Sequence, residues 1–164
     1  MKMSRLSLAL FVLAGISGAV VTSPIQKASR SDDFPAATPE RQTKPVYDSY
    51  KGVTIGMSAA DARAKLGKPK DESDAEDYFE FSENETARVF YENKTVRVIS
   101  TNYVGNISSA PAPKAVLGIV LEAKPDGGMF KVVQYPKAGF WVSYVRTGGD
   151  DPMVIVTIQK MPKE

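Results

Sequence analysis

The sequence contains no cysteine and no histidine in 164 residues. Without cysteine there is no disulfide, no thiolate nucleophile and no thiolate metal site. Without histidine the commonest general base and the commonest transition-metal ligand are missing, which excludes a Ser-His-Asp triad and a histidine-based zinc site. Charge of one sign is also scarce. The 21 Lys and Arg against 19 Asp and Glu leave a formal net charge of +2, too little to point to nucleic acid or an anionic membrane surface. Tryptophan occurs once, as Trp141. What is present, 43% apolar and 24% charged residues, is the composition of a globular chain with room for one ordinary domain.

One long uncharged apolar run occurs, Leu6 to Val21, and it follows Lys2 and Arg5. A positive start, an apolar stretch and small residues after it predict a signal peptide over residues 1–23. Ser17 and Ala19 fit the −3 and −1 cleavage positions, as do Val21 and Ser23; Pro24 directly after Ser23 favours the cut after Ala19. An uncleaved membrane anchor is the competing reading, although the run is short for a span and contains Gly15, Ser17 and Gly18. A lipoprotein signal would need a cysteine at the cut, so lipid anchoring by that route is excluded. Residues 24–46 mix Ser, Pro, Thr, Gln and scattered charges with few large apolar side chains. Such a segment buries too little to offset its ordering entropy and is expected to be a flexible linker.

The domain is expected over residues 47–162, organised around one short helix. Ser58 is a good N-cap, and Asp61, three residues on, stands where a capping-box acid reaches back. Ala59, Ala62 and Leu66 share one side at helical spacing. Gly67 occupies the C′ place and Pro69 prevents continuation. Period-two alternation then predicts strands over 78–82, 87–91, 95–101, 129–135, 139–146 and 153–159, with 92–95 a tight hairpin link and Asp126-Gly127-Gly128 a turn. The fold class is α+β: an antiparallel sheet of about six strands with one or two short helices on one face. Leu66-Gly67 and Leu117-Gly118 each precede three strands, which fits a duplicated αβββ unit with halves 47–104 and 112–160; a single irregular sheet fits as well.

Alternation also assigns faces. With Phe79, Phe81, Val89, Val96 and Val98 toward the helices, Tyr78, Glu80, Arg88, Phe90, Arg97 and Ile99 face away. In the second half Phe130, Val132, Val154, Val156 and Ile158 point in, while Lys131, Tyr135, Trp141 and Thr157 point out. Phe140, Val142 and Tyr144 form an equally apolar inward set, which makes the facing of Trp141 depend on register.

The run Gly56-Met57-Ser58-Ala59-Ala60-Asp61-Ala62-Arg63-Ala64-Lys65-Leu66-Gly67-Lys68-Pro69, with Val89-Phe90-Tyr91 and Val96-Arg97-Val98-Ile99 behind it, resembles the BamE/SmpA-like domains. Two tandem units of this kind would resemble the beta-lactamase-inhibitor-protein architecture. The resemblance implies helices over one sheet face and an exported, bacterial cell-envelope context. The lipidated cysteine of the family's outer-membrane lipoproteins is absent here, so membership of the outer-membrane protein assembly complex is not implied.

Little catalytic chemistry is written in the chain. The acidic run Asp71 to Asp77 lacks the glycine that an EF-hand loop needs at its sixth position, where Glu76 stands, and reads as a solvated connection. Asn84, Asn93 and Asn106 head N-glycosylation patterns, which in a bacterial protein are expected to carry nothing. Asp126-Gly-Gly and Gly148-Gly-Asp-Asp151 precede strands, whereas a phosphate cradle precedes a helix. No cofactor, metal or nucleic acid is expected, and no enzymatic activity. The expected function is a non-catalytic binding module of the cell envelope, periplasmic or secreted, whose partner is an envelope protein. It would meet that protein through Tyr78, Glu80, Arg88, Phe90, Arg97, Lys131, Tyr135 and Trp141. An inhibitor or accessory subunit of an exported enzyme is the alternative, and a hydrolase a distant third. Membrane contact is expected only if the N-terminal segment stays uncut. Expression in a bacterial host should yield a mature protein whose intact mass starts near Val20; retention of Met1 in the membrane fraction would contradict cleavage.

Overall fold

The computed structural model describes residues 40–41 and 44–162. Its central helix, α1 (Ala59–Leu66), has both expected ends. The Ser58 hydroxyl oxygen accepts the Asp61 N–H at 3.1 Å, and the Ser58 O–H donates to the Asp61 carboxylate at 2.7 Å. The Gly67 N–H closes the last turn on the Arg63 carbonyl at 2.8 Å, with φ 88° and ψ −163°. Pro69 follows and is buried. The apolar stripe of α1 is thin. Only Ala62 is fully buried, with Ala59 and Leu66 half-buried against the core.

Before α1 lies a two-stranded ribbon, β2 (Ser49–Tyr50) with β3 (Val53–Thr54). After it come β4 (Asp71–Glu72), β5 (Glu76–Ser82), β6 (Glu85–Glu92) and β7 (Thr95–Tyr103). The β6–β7 link places Asn93 at φ 52° and Lys94 at φ 59°, the paired positive values of a two-residue type I′ turn. A short 3-10 turn, Ile107–Ser109, leads to the one-turn helix α2 (Pro113–Leu117). Then β8 (Met129–Tyr135), β9 (Phe140–Arg146) and β10 (Val154–Lys160) complete the sheet. Seven strands, β4 to β10, are antiparallel. An eighth, β1 (Glu40–Arg41), lies parallel to β8 at Val133 and Gln134. These two residues fall in the expected linker and are strand instead; residues 1–39, with the expected signal peptide and most of that linker, lie outside the described residues.

Sheet order is β1-β8-β9-β10-β7-β6-β5-β4. From the central antiparallel β7–β10 pair outward, each half runs third strand, second strand, first strand. Helix-strand-strand-strand is thus laid out twice about a local two-fold axis normal to the sheet. The core lies between one face of this sheet and α1, α2 and the β2–β3 ribbon. Phe79, Val89, Val96, Ile99, Val133, Tyr135, Val142 and Ile158 come from the sheet, and Val53, Ala62, Val116 and Leu117 from above it. No helix among the described residues is long and apolar enough to cross a membrane.

Two facing expectations are corrected. Ile99 is 1% exposed and points into the core, while Val98 is half-buried on the other face. The cause is a β-bulge: Phe90 pairs with Val98 but Tyr91 pairs with Val96, leaving Arg97 as the extra residue and shifting everything after it by one. In β8 the expected sides are reversed. Val133 and Tyr135 are buried and Phe130 is 53% exposed, so Lys131 and Tyr135 belong to the helix side and Phe130 and Val132 to the other. The partner strand decides this, because Tyr135 pairs with Phe140, Val133 with Val142 and Lys131 with Tyr144. Phe140, Val142 and Tyr144 are themselves buried, and the Tyr135 and Phe140 rings meet at 5.7 Å between centroids.

Two glycines are structural requirements. At Gly67 a Cβ would meet no atom within 4 Å, so Gly67→Ala should cost about 1 kcal/mol or more through backbone conformation alone. At Gly148 a Cβ would come within 2.6 Å of the Asp126 carboxylate and 2.9 Å of its carbonyl oxygen, so Gly148→Ala should force apart the loops that join at the Gly149 N–H to Asp126 carbonyl bond. Thermal melts of both variants check this; an unchanged melting temperature for Gly67→Ala would misplace the helix end.

Candidate binding face

The face turned away from the helices is ordered by strand register into three rows. The first runs Glu80, Thr86, Asn102, Ile155, Val145, Phe130. The second runs Asp71, Tyr78, Arg88, Ser100, Thr157, Ser143, Val132. The third runs Glu76, Phe90, Val98, Gln159, Trp141, Gln134. The apolar members of these rows lie outside the core cluster. Trp141 is therefore on the expected side, half-buried between two glutamines.

Of the eight residues expected to meet a partner, Tyr78, Glu80, Arg88, Phe90 and Trp141 share this face. Phe90 and Trp141 are three strand spacings apart, roughly 14 Å. Lys131 and Tyr135 are on the opposite face, and Arg97 is the exposed bulge residue, 3.4 Å from the Glu92 carboxylate. Phe130, Val132 and Val98 are members of the face that alternation alone put on the other side, and Val145 and Ile155 are further members beside the eight. Composition grades across it, from Phe130, Val132, Val145, Ile155 and Trp141 at the β8–β10 end to charged side chains at the β4–β6 end. There the Arg88 guanidinium pairs with Glu76 at 2.7 Å and lies 5.4 Å from the centre of the Tyr78 ring. These three line a groove of about 500 Å³ with Asp71, Glu72 and Ser73.

The acidic run is not merely a solvated connection. Asp71–Glu72 form β4, and Asp77 is a fully buried member of β5 on the helix side, in line with Phe79 and Phe81. Its carboxylate accepts from Arg63 Nε at 2.8 Å, Arg63 Nη2 at 2.9 Å, the Tyr91 hydroxyl at 2.6 Å and the Ser73 N–H at 3.3 Å. Burial by itself would push the Asp77 carboxyl up. The hydrogen bonds from Arg63 and Tyr91, the Arg63 charge and the Ser73 N–H outweigh it and hold the group below the usual carboxylate range. The Tyr91 hydroxyl is pushed up by burial and by its bond to Asp77. A strand position two before Phe79 was the available signal, hidden inside a run of surface-type residues. A second polar anchor holds the ribbon: Tyr50 donates to Glu85 at 2.7 Å, Lys51 pairs with Glu85 at 3.3 Å, and the Lys51 ammonium lies 4.6 Å from the centre of the Phe81 ring.

The asparagines of the three glycosylation patterns have local structural work. Asn84 donates to the Val104 carbonyl at 2.8 Å, Asn106 accepts from the Ser108 N–H at 3.0 Å, and Asn93 supplies a positive φ.

Tyr91→Phe keeps the ring and removes one buried bond to an ionised carboxylate, so it should lower unfolding stability by about 1–3 kcal/mol in urea titrations, with m unchanged. A loss below a few tenths would mean that this hydroxyl does not support Asp77. No family model, no curated protein and no solved structure matches the chain, so what its open face does has to be argued from its own chemistry.

Proposed function

We propose that the protein is an exported, non-catalytic binding module of the bacterial cell envelope that works through protein–protein contacts on the open face of its sheet. The observation that carries this reading is the row Phe90, Val98, Gln159, Trp141, Gln134, in which the sole tryptophan faces away from the core. Aromatic side chains held by paired strands lose little freedom on contact and present large apolar areas, and Tyr78 and Arg88 in the next row belong to the types enriched in interface hot spots. The envelope context rests on the signal-like start and on the resemblance of residues 56–69 to BamE/SmpA-like domains.

A second reading, an inhibitor or accessory subunit of an exported enzyme, is favoured by the twofold αβββ layout, the kind of tandem unit that the sequence resemblance implies. Capture from bacterial envelope extract by the wild-type domain and by a folded Phe90→Ala, Trp141→Ala double variant tests both. A partner retained by the wild type should fall at least tenfold with the variant, and its identity separates an enzyme from a structural envelope protein. Equal retention by the two would contradict a role for this face.

A further inference from the structure

We propose that Arg63, Asp77 and Tyr91 form an acid-sensitive clasp that holds residues 59–75, carrying α1 and β4, onto the sheet and releases them as a local unit when Asp77 is protonated. The segment's apolar anchoring is thin. Ala62 is the one fully buried side chain of α1, with Ala59 and Leu66 half-buried and Pro69 buried after it, and both residues of β4 are exposed. Its remaining ties are chiefly polar: the Ala59 N–H to the Lys94 carbonyl at 3.0 Å, the Lys70 N–H to the Tyr78 carbonyl at 2.7 Å, the Tyr91 N–H to the Ala75 carbonyl at 2.8 Å, and the Lys70–Glu80 ion pair. The largest convergence of bonds is at Arg63. Besides its two bonds to Asp77, it donates from Nη2 to the Ser73 carbonyl at 3.0 Å and pairs through Nη1 with Glu72 at 3.0 Å. One guanidinium thus ties α1 to β4, to the following turn and to β5.

The groups facing Asp77 set the direction of the response. Arg63 comes from α1, Tyr91 from β6 and the Ser73 N–H from the turn, while Glu72 of β4 acts through Arg63. A protonated carboxyl becomes a donor on one oxygen, and the guanidinium has no lone pair to receive that proton. At least one clasp bond is lost, and Arg63 keeps a charge without its buried counter-ion. Glu72 does not replace it as a buried counter-ion, because its side chain is 55% exposed. Asp77 has a depressed folded pKa, so its stabilisation is complete above the unfolded value of about 3.9 and disappears as pH falls through the lower folded value. Asp77 is also the one charged residue among the buried described residues. Segments held by few apolar contacts open independently of the rest.

The test is amide exchange by NMR on the full domain, with Trp141 emission reporting on β9. In wild-type protein titrated downward from pH 6, the hydrogen-bonded Ala62 and Gly67 amides should lose protection at a pH where Trp141 emission and the β9–β10 amides are unchanged. Asp77→Asn should show at pH 6 at least tenfold faster exchange at Ala62 and Gly67, roughly unchanged exchange in β9–β10, and no further acid step in α1. A single transition shared by α1 and Trp141 in the wild type would overturn the proposal, and so would an Asp77→Asn variant with wild-type protection in α1. Should Asp77→Asn fail to fold, the wild-type titration decides alone.

Discussion

A sheet of seven antiparallel strands is roughly 29 Å wide, and each of its faces needs cover. The described chain supplies two α-helices, of eight and five residues, and one short ribbon, all on the same side. One face is therefore built as a core and the other as a surface. That constraint explains the distribution of side chains better than any single contact does. Val, Ile, Phe and Tyr crowd the helix side, while Ser100, Ser143, Thr157, Asn102, Gln134 and Gln159 line the other. Large apolar residues that remain among those polar ones, half-buried Trp141 and Phe90 and exposed Phe130 above all, lie outside the core cluster.

Cover is also uneven along the helix side. The second half closes its core with Val116 and Leu117, both fully buried in a helix of a single turn. The first half has a longer helix but a thinner apolar stripe, and compensates with polar ties: Arg63 and Tyr91 on Asp77, Tyr50 and Lys51 on Glu85. Buried ionic bonds of this kind hold geometry well while ionised and become a liability once one partner loses its charge. The two halves share a layout and differ in what fastens it.

How much of this was legible in the sequence follows the range of the interactions involved. The ends of α1 were, because capping by Ser58 and closure at Gly67 are decided within a few residues. The three long strands of the first half, β5 to β7, were legible too, and with them the facing of Tyr78, Arg88 and Phe90. The bulge at Arg97 was not, because it exists only in the pairing of β7 with β6, and so Ile99 and Val98 exchanged sides. In β8, Val132 and Val133 are adjacent and equally apolar, and only the register with Phe140, Val142 and Tyr144 selects between them. Asp77 obeyed strand alternation, but the four charged neighbours Asp71, Glu72, Asp74 and Glu76, with Ser73 among them, made the whole run look like surface.

The central claim is that one sheet face is covered and the other presents the aromatic row. Solvent paramagnetic relaxation with a neutral gadolinium chelate measures it residue by residue. Side-chain signals of Trp141, Phe90, Phe130 and Ile155 should broaden strongly, while those of Phe79, Ile99, Tyr135 and Ile158 persist. Strong broadening of Ile99 and Tyr135 with Trp141 and Phe130 protected would contradict the account.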